Sequence, residues 1–296
     1  MKPRILIVGS SGQLGIELVK ALSAESDLMT LSRREADLTN TVALRSAVRD
    51  LQPQFIVNAA AYTAVDRAES EPDLAHAVNA VAPRALAEVA LELGAWLIHF
   101  STDYVFDGSG TAPWKETDSP HPLSVYGRTK LEGELAVAAT GCRHLIFRTS
   151  WVYSAHSNNF LRTMLRLAAQ RPRLSVVNDQ IGAPTSAGEL ARATQRVLTR
   201  IDQPSAHEPE SGVYHMTCAG STSWFGFAEA IFKRFAGMVP TPELVPIPSE
   251  QYPTPAARPR NSVLDGEKLQ RLLGVRLPAW EDALDQVLAE LRSTGL

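Results

Sequence analysis

Ile5-Leu6-Ile7-Val8-Gly9-Ser10-Ser11-Gly12-Gln13-Leu14-Gly15 is the stretch that decides the fold. Four apolar residues run straight into glycines, the pattern of a strand buried on both faces of a parallel sheet. The glycines open a helix read over Ile16–Leu22. Gly9 permits the tight turn, Gly12 lets backbone approach a pyrophosphate, and Gly15 lets helix and strand pack closely. A pyrophosphate at this turn faces the free N–H groups at the positive end of the helix. The spacing is G-x-x-G-x-x-G, and its strand–turn–helix setting separates it from an ordinary glycine-rich turn.

Outward from this unit the alternation continues. Leu28–Leu31, Phe55–Val57 and Trp96–Phe100 read as strands, and Ala43–Leu51 and Val81–Leu93 as helices, the latter closed by Gly94 in a left-handed cap. The expected class is α/β, a doubly wound parallel sheet of Rossmann type. Beyond residue 150 the rhythm changes. Phe160–Ala169 reads as a helix, Asp202–Gly212 as a polar loop, and seven of the 19 prolines fall within Pro240–Pro259. The chain closes with Ala279–Leu291, where Ala283, Leu284, Val287, Leu288 and Leu291 form an apolar stripe. The second half therefore reads as a smaller, loop-rich C-terminal substrate lobe.

Composition bounds the function. The 296 residues are 45% hydrophobic and 21% charged, which excludes collagen-like, coiled-coil and largely disordered chains. No apolar run approaches the roughly 18 to 20 residues of a membrane span. Met1-Lys2-Pro3-Arg4 leads into an apolar run shorter than the about 7 to 15 residues of a signal-peptide core, so the expected location is cytoplasmic. Cys142 and Cys218 stand in no metal or redox spacing, in keeping with a reducing compartment. The seven histidines show no ligand spacing either. A net charge of −3 argues against broad capture of nucleic acid, so an anionic small ligand must be held by local groups.

The end of the second strand offers Ser32-Arg33-Arg34. A carboxylate for a ribose 2′-hydroxyl is missing there, and the guanidinium groups, Arg33 above all, suit the 2′-phosphate of NADP. Asp37 and Leu38 follow, the acid suited to accept from an adenine amino group. Tyr126 and Lys130 stand at i and i+4, on one helical face. The nearby cation is expected to favour the phenolate, pulling the tyrosine pKa from about 10 toward working pH. Such a tyrosine exchanges a proton with an alcohol or ketone. Thr102, just past the strand ending at Phe100, is suited to hydrogen-bond the same carbonyl oxygen.

The glycine loop, Asn58-Ala59-Ala60-Ala61, Ser101 to Phe106 and the Tyr126/Lys130 pair resemble the extended short-chain dehydrogenase/reductases. More narrowly, Asn58–Pro72, Arg148–Tyr153, Asp179–Thr185 and Arg258–Ser262 resemble the dTDP-4-dehydrorhamnose reductase family, over nearly the whole chain. Thr102 stands where the wider superfamily has serine. The resemblance implies NADPH-dependent reduction of the 4-keto group of dTDP-4-dehydro-β-L-rhamnose, with Thr102, Tyr126 and Lys130 as catalytic residues. Gly9, Gly12, Gln13, Leu14, Gly15, Arg33, Asp37, Leu38, Ala61, Tyr62, Thr63 and Phe100 would line the cofactor together with Tyr126 and Lys130. Thr102, Asp103, Tyr126 and Trp151 would meet the sugar, although Trp151 also reads as core packing. Arg258 and Arg260 offer cations for the diphosphate.

It further implies residues 1–151 as an NADP-binding domain, with 176–217 returning to it, and residues 152–175 and 218–296 as the substrate lobe. Ser32 stands where members using both cofactors can carry an acid, which counts against NADH as the second cofactor. Family members can form homodimers bridged by Mg²⁺, for which Glu17 and Glu189 occupy similar positions. Rival readings are a nucleotide-sugar 4-epimerase or dehydratase, and a non-catalytic NADP-binding subunit similar to the regulatory subunit of methionine adenosyltransferase. Neither nucleic acid nor membrane is expected as a partner.

Overall fold

The computed structural model describes residues 2–203 and 209–293. Residues 204–208, part of the loop expected over Asp202–Gly212, lie outside the described residues. Strands β1 (Arg4–Val8), β2 (Asp27–Leu31), β3 (Phe55–Asn58), β4 (Trp96–Thr102) and β5 (Arg143–Thr149) join Gly212–His215 in one parallel sheet. The order is Gly212–His215, β5, β4, β3, β1, β2. Ile5, Leu6, Ile7 and Val8 are fully buried, because helices cover both faces of the sheet.

Val8 pairs with Leu31 on one side and Asn58 on the other, so the chain leaves β1, β2 and β3 at one level. The sequence order reverses at β1, and ligand crevices of open parallel sheets form at such a switch point. The expected Rossmann-type sheet is therefore present.

The helices begin where caps dictate. Helix α1 (Gln13–Leu22) starts earlier than its apolar periodicity suggests, directly from Gly12. Helix α2 (Thr41–Leu51) starts at Asn40, whose side chain accepts from the Ala43 N–H at 3.1 Å. A π-helical turn over Ala77–Val81 precedes Ala82–Leu93, and Gly94 closes that helix with φ 63°. The Val125–Ala139 helix starts at Ser124, whose hydroxyl accepts from the Gly127 N–H. Strand β4 runs to Thr102, two residues further than the apolar run, because Ser101 and Thr102 keep pairing with Arg148 and Thr149.

Beyond β5 the strands are short. Val152–Tyr153 pairs with Thr185–Ser186, Arg173–Val177 with Glu243–Ile247, and Ile181–Gly182 with both Thr222–Ser223 and Asn261–Ser262. Pro246 sits in a two-stranded ribbon, where the missing N–H is tolerated. Helix Ala187–Asp202 packs on α1, and the stripe of helix Trp280–Ser293 is buried as read. One hydrophobic cluster runs from Ile5 and Leu18 through Leu190 and Phe227 to Leu288, so this region shares a core with one face of the sheet. The other face packs beneath α2 and Ala82–Leu93. No helix among the described residues is long and apolar enough to cross a membrane.

Candidate active site

Gly9 adopts φ 87°, and a Cβ there would lie 2.7 Å from the Cβ of Ala60, so the turn closes tightly against the loop after β3. A Cβ on Gly15 would collide with the Gly9 carbonyl oxygen, which is why helix and strand pack so closely. At Gly12 a Cβ would meet only the Gly9 oxygen, at 3.4 Å, leaving that side of the turn open. That space fits the pyrophosphate of a dinucleotide. Leu14 is buried, and the Gln13 Oε1 accepts from the Ser154 hydroxyl and the Asn159 amide at 3.1 and 2.9 Å. With both side chains engaged, what they can offer a ligand is backbone N–H.

Arg33 and Arg34 are exposed after β2, but a carboxylate is present: Glu35 turns back so that its Oε2 accepts the Ser32 N–H at 2.7 Å. That backbone bond and the Ser32 hydroxyl hold the Glu35 carboxyl below its ordinary range. Asp37 accepts the Thr39 N–H and hydroxyl at 3.0 and 2.9 Å, which lowers its pKa too, while Leu38 is buried. Ala61, Tyr62 and Thr63 follow β3, with Tyr62 fastened by Asn79 through a 2.8 Å bond from its N–H and a 3.1 Å bond to its carbonyl.

Thr102, Tyr126 and Lys130 come together at the carboxyl end of β4. The Thr102 hydroxyl donates to Asp103 at 3.0 Å and accepts the Tyr104 N–H at 3.2 Å. Tyr126 is half-buried, edge-on to Tyr104 with ring centroids 5.6 Å apart. Burial pushes its phenol up to about 12, a hydrogen bond with Thr102 opposes this, and the Asp103 charge adds to it.

The expected depression of the tyrosine pKa is therefore not what the site produces. The reason is geometric: the Lys130 ammonium donates to the Phe100 carbonyl at 2.7 Å and lies 3.3 Å from His99 Nε2. Lys130 is 2% exposed, and burial brings its pKa down to about 8. Asp103 is likewise buried and raised to about 6, with hydrogen bonds from Ser262 and Thr102 working against the burial.

Trp151 is neither a plain core residue nor free. Its backbone is left-handed, φ 49°, and its indole stacks on Trp224 with centroids 3.6 Å apart and planes 9° apart. A Cβ on Gly182 would lie 2.5 Å from the same indole. Arg258 is bound by both Asp66 oxygens, at 3.1 and 2.8 Å, and Arg260 is paired with Glu250 and lies 3.9 Å from Asp179. Both arginines thus have carboxylate partners rather than an open anion site between them.

The residues proposed for Mg²⁺ do not fit it. The Glu189 carboxylate is bound by Arg192 at 2.6 Å. Glu17 instead groups with His156 and Glu290, donor atoms within 4.8 Å of one another. The Lys20 ammonium stands among them, 2.9 Å from Glu17, 2.8 Å from Glu290 and 2.9 Å from His156 Nε2. One cation of the chain itself already stands among the two carboxylates and offsets one of their charges.

Sequence reasoning missed Glu35, Asp66, His99 and Trp224. Of these, His99 left a signal, a polar residue inside an otherwise apolar strand.

The family model of the RmlD substrate binding domain matches residues 1–293. The chain is 47% identical to dTDP-4-dehydrorhamnose reductase of Salmonella typhimurium over 98% of both chains. It superimposes on the crystal structure of dTDP-4-dehydrorhamnose reductase from Bacillus anthracis in complex with NADP, with a TM-score of 0.90 and 37% identity, covering 98% of this chain and 100% of that one. UDP-glucose 4-epimerase of Thermus thermophilus, in complex with NAD, is similar in fold at a TM-score of 0.78 but only 19% identical, covering 98% and 99%.

Proposed function

This chain belongs to the dTDP-4-dehydrorhamnose reductase family, and on that premise we propose that it reduces the 4-keto group of dTDP-4-dehydro-β-L-rhamnose to give dTDP-L-rhamnose. The observation that carries this reading is the convergence of Thr102, Tyr126 and Lys130 at the carboxyl end of the sheet, which also bears the open glycine turn. NADPH, when bound, supplies the hydride to C4 of the sugar.

The chain's own residues supply the rest. A phenol raised to about 12 is protonated throughout the physiological range, the form a general acid needs. Tyr126 gives its proton to the sugar oxygen as C4 is reduced, and Thr102 donates to the same oxygen. The Lys130 charge, one helical turn away, offsets the tyrosinate left behind and holds the nicotinamide ribose. Asp103 and Trp151 meet the sugar. Gly9, Gly12, Gln13, Leu14 and Gly15 take the pyrophosphate, Arg33 the 2′-phosphate, and Asp37, Leu38, Ala61, Tyr62, Thr63 and Phe100 the rest of the cofactor.

In this reading residues 1–151 with 176–217 bind the cofactor, and 152–175 with 218–296 bind the sugar. NADH serves as a weaker second cofactor, the enzyme works in the cytoplasm, and a homodimer is its assembly. The epimerase alternative rests on a 19% identical neighbour, which carries the fold alone. Supplying dTDP-4-dehydrorhamnose and following NADPH absorbance tests the assignment. Consumption of one NADPH per product formed supports it, and turnover of sugar without loss of NADPH overturns it in favour of an epimerase.

A further inference from the structure

Past Lys130 the Val125–Ala139 helix carries a second buried charge, which the reduction as described leaves unused. Glu134 stands at i+4 from Lys130, on the same helical face, and both side chains belong to residues 3% exposed or less. The two take hold of consecutive groups of β4. The Lys130 ammonium donates to the Phe100 carbonyl at 2.7 Å, and the Ser101 hydroxyl donates to Glu134 Oε1 at 2.5 Å. Arg148, the register partner of Ser101 on β5, closes the other side of the carboxylate. Its Nε donates to the two oxygens at 2.9 and 3.2 Å, and its Nη2 donates to Oε2 at 2.6 Å.

We propose that Glu134 is a positioning residue for the reduction: held by Arg148 and Ser101, its carboxylate keeps Lys130 in the ammonium form that offsets the tyrosinate left by Tyr126. The inference rests on the assignment of Lys130 to the reaction. An ammonium taken out of water is costly unless an opposite charge stands near it. Burial brings Lys130 down to about 8, and Glu134 works against that burial. A carboxylate alone in the same interior would be as costly, so Glu134 needs Arg148, whose planar fork meets both of its oxygens. One carboxylate thus serves two buried cations.

The other titratable groups around the pair leave the neutral to alkaline range to Lys130. His99 on β4, with Nε2 3.3 Å from the ammonium, is kept neutral by burial and by the charges of Lys130 and His144. Asp103 lies at about 6 and Tyr126 at about 12. His215, the register partner of Arg148 on the next strand, lies at about 3. Gln in place of Glu134 keeps the shape and removes the charge while Arg148 stays. The ammonium is then less favourable, so Lys130 loses its proton at lower pH.

The test follows Lys130 in two ways. One is the alkaline limb of kcat/KM with dTDP-4-dehydrorhamnose and NADPH. The other is an NMR titration of the enzyme carrying ε-13C-labelled lysine, the Lys130 signal being identified by its loss in Lys130→Met. Glu134→Gln is expected to lower both midpoints by about one pH unit, the low end for an opposite charge nearby. Activity then falls about ten-fold at pH 9 and changes little at pH 6, since one unit is a ten-fold change in protonation. Glu134→Asp keeps the charge and should move both midpoints far less.

An ion pair that only braces the fold would lower activity by one factor at both pH values, and that result overturns the inference. So do unmoved midpoints in Glu134→Gln, or an equal shift in Glu134→Asp. Full activity of Lys130→Met, or a lysine signal that moves while the kcat/KM limb does not, overturns instead the role given to Lys130. If Glu134→Gln does not fold, Glu134→Gln combined with Arg148→Met, which leaves no partnerless charge behind, must lower the same midpoints or the inference falls.

Discussion

The indole of Trp151 lies flat against that of Trp224, with centroids 3.6 Å and planes 9° apart, and Gly182 lies against the same Trp151 indole. Trp151 keeps this pose at the cost of a left-handed backbone, an arrangement that persists where surrounding structure holds it and that clusters at ligand sites. Trp224 is fixed by a 3.2 Å bond from its N–H to Gln180 and by contact with Phe160.

From this stack we expect Trp151→Ala to lower kcat/KM for the nucleotide sugar about 10- to 200-fold, the range for losing one apolar face of a substrate pocket. NADPH affinity should stay as it is. Trp224→Ala should act in the same direction by releasing the Trp151 ring. Steady-state kinetics and melting temperature on one preparation check this. A large drop in melting temperature with normal kinetics would return Trp151 to core packing.

Much of this site was legible in the sequence because its parts are local. The glycine turn and the Tyr126/Lys130 pair are fixed by spacing within one loop and one helix, so a linear reading finds them. What escaped depends on distant chain segments meeting. Arg258 is claimed by Asp66, and Lys20 reaches Glu290 from the far end of the chain. The tyrosine pKa went the other way because the phenol is buried, which helical spacing does not reveal. Helical spacing puts Lys130 on the face of Tyr126, but a buried ammonium turns to the strongest acceptors within reach, and those belong to β4.

Tyr126→Phe keeps the ring and its contact with Tyr104 but removes the proposed proton donor. We expect kcat to fall by about 10²- to 10⁴-fold, the usual contribution of general acid catalysis, while NADPH still binds. Activity within a few-fold of the parent enzyme would exclude Tyr126 as the acid.

Asp103 carries a stability cost at neutral pH. Burial raises its carboxyl from the model-peptide value of 3.8 to about 6, so the folded state binds a proton more tightly than the unfolded chain. The contribution from that proton is fully present below about pH 3.8 and is lost as pH rises through about 6. Asp103→Asn removes the charge, and it should stabilise the protein by about 1 to 3 kcal/mol at pH 7.5. The gain should vanish near pH 4. Chemical denaturation at the two pH values measures it.

Cofactor choice should be set by opposing charges after β2. Arg33 and Arg34 are exposed there, within the same turn as the Glu35 carboxylate held on the Ser32 N–H. A 2′-phosphate would gain charge-assisted hydrogen bonds from the guanidinium groups and meet repulsion from Glu35. Replacing both arginines with Ala should therefore weaken NADPH roughly 5- to 20-fold while changing NADH little, the bond strength being discounted for solvent exposure. Glu35→Gln removes the repulsion without disturbing the arginines, so it should move the preference further toward NADPH. Both shifts should shrink at high salt, because the groups involved face water. Titrating NADPH and NADH against the three proteins by fluorescence, at low and high ionic strength, checks the scheme. Equal weakening of both cofactors in the double Ala variant would mean that these arginines do not read the phosphate.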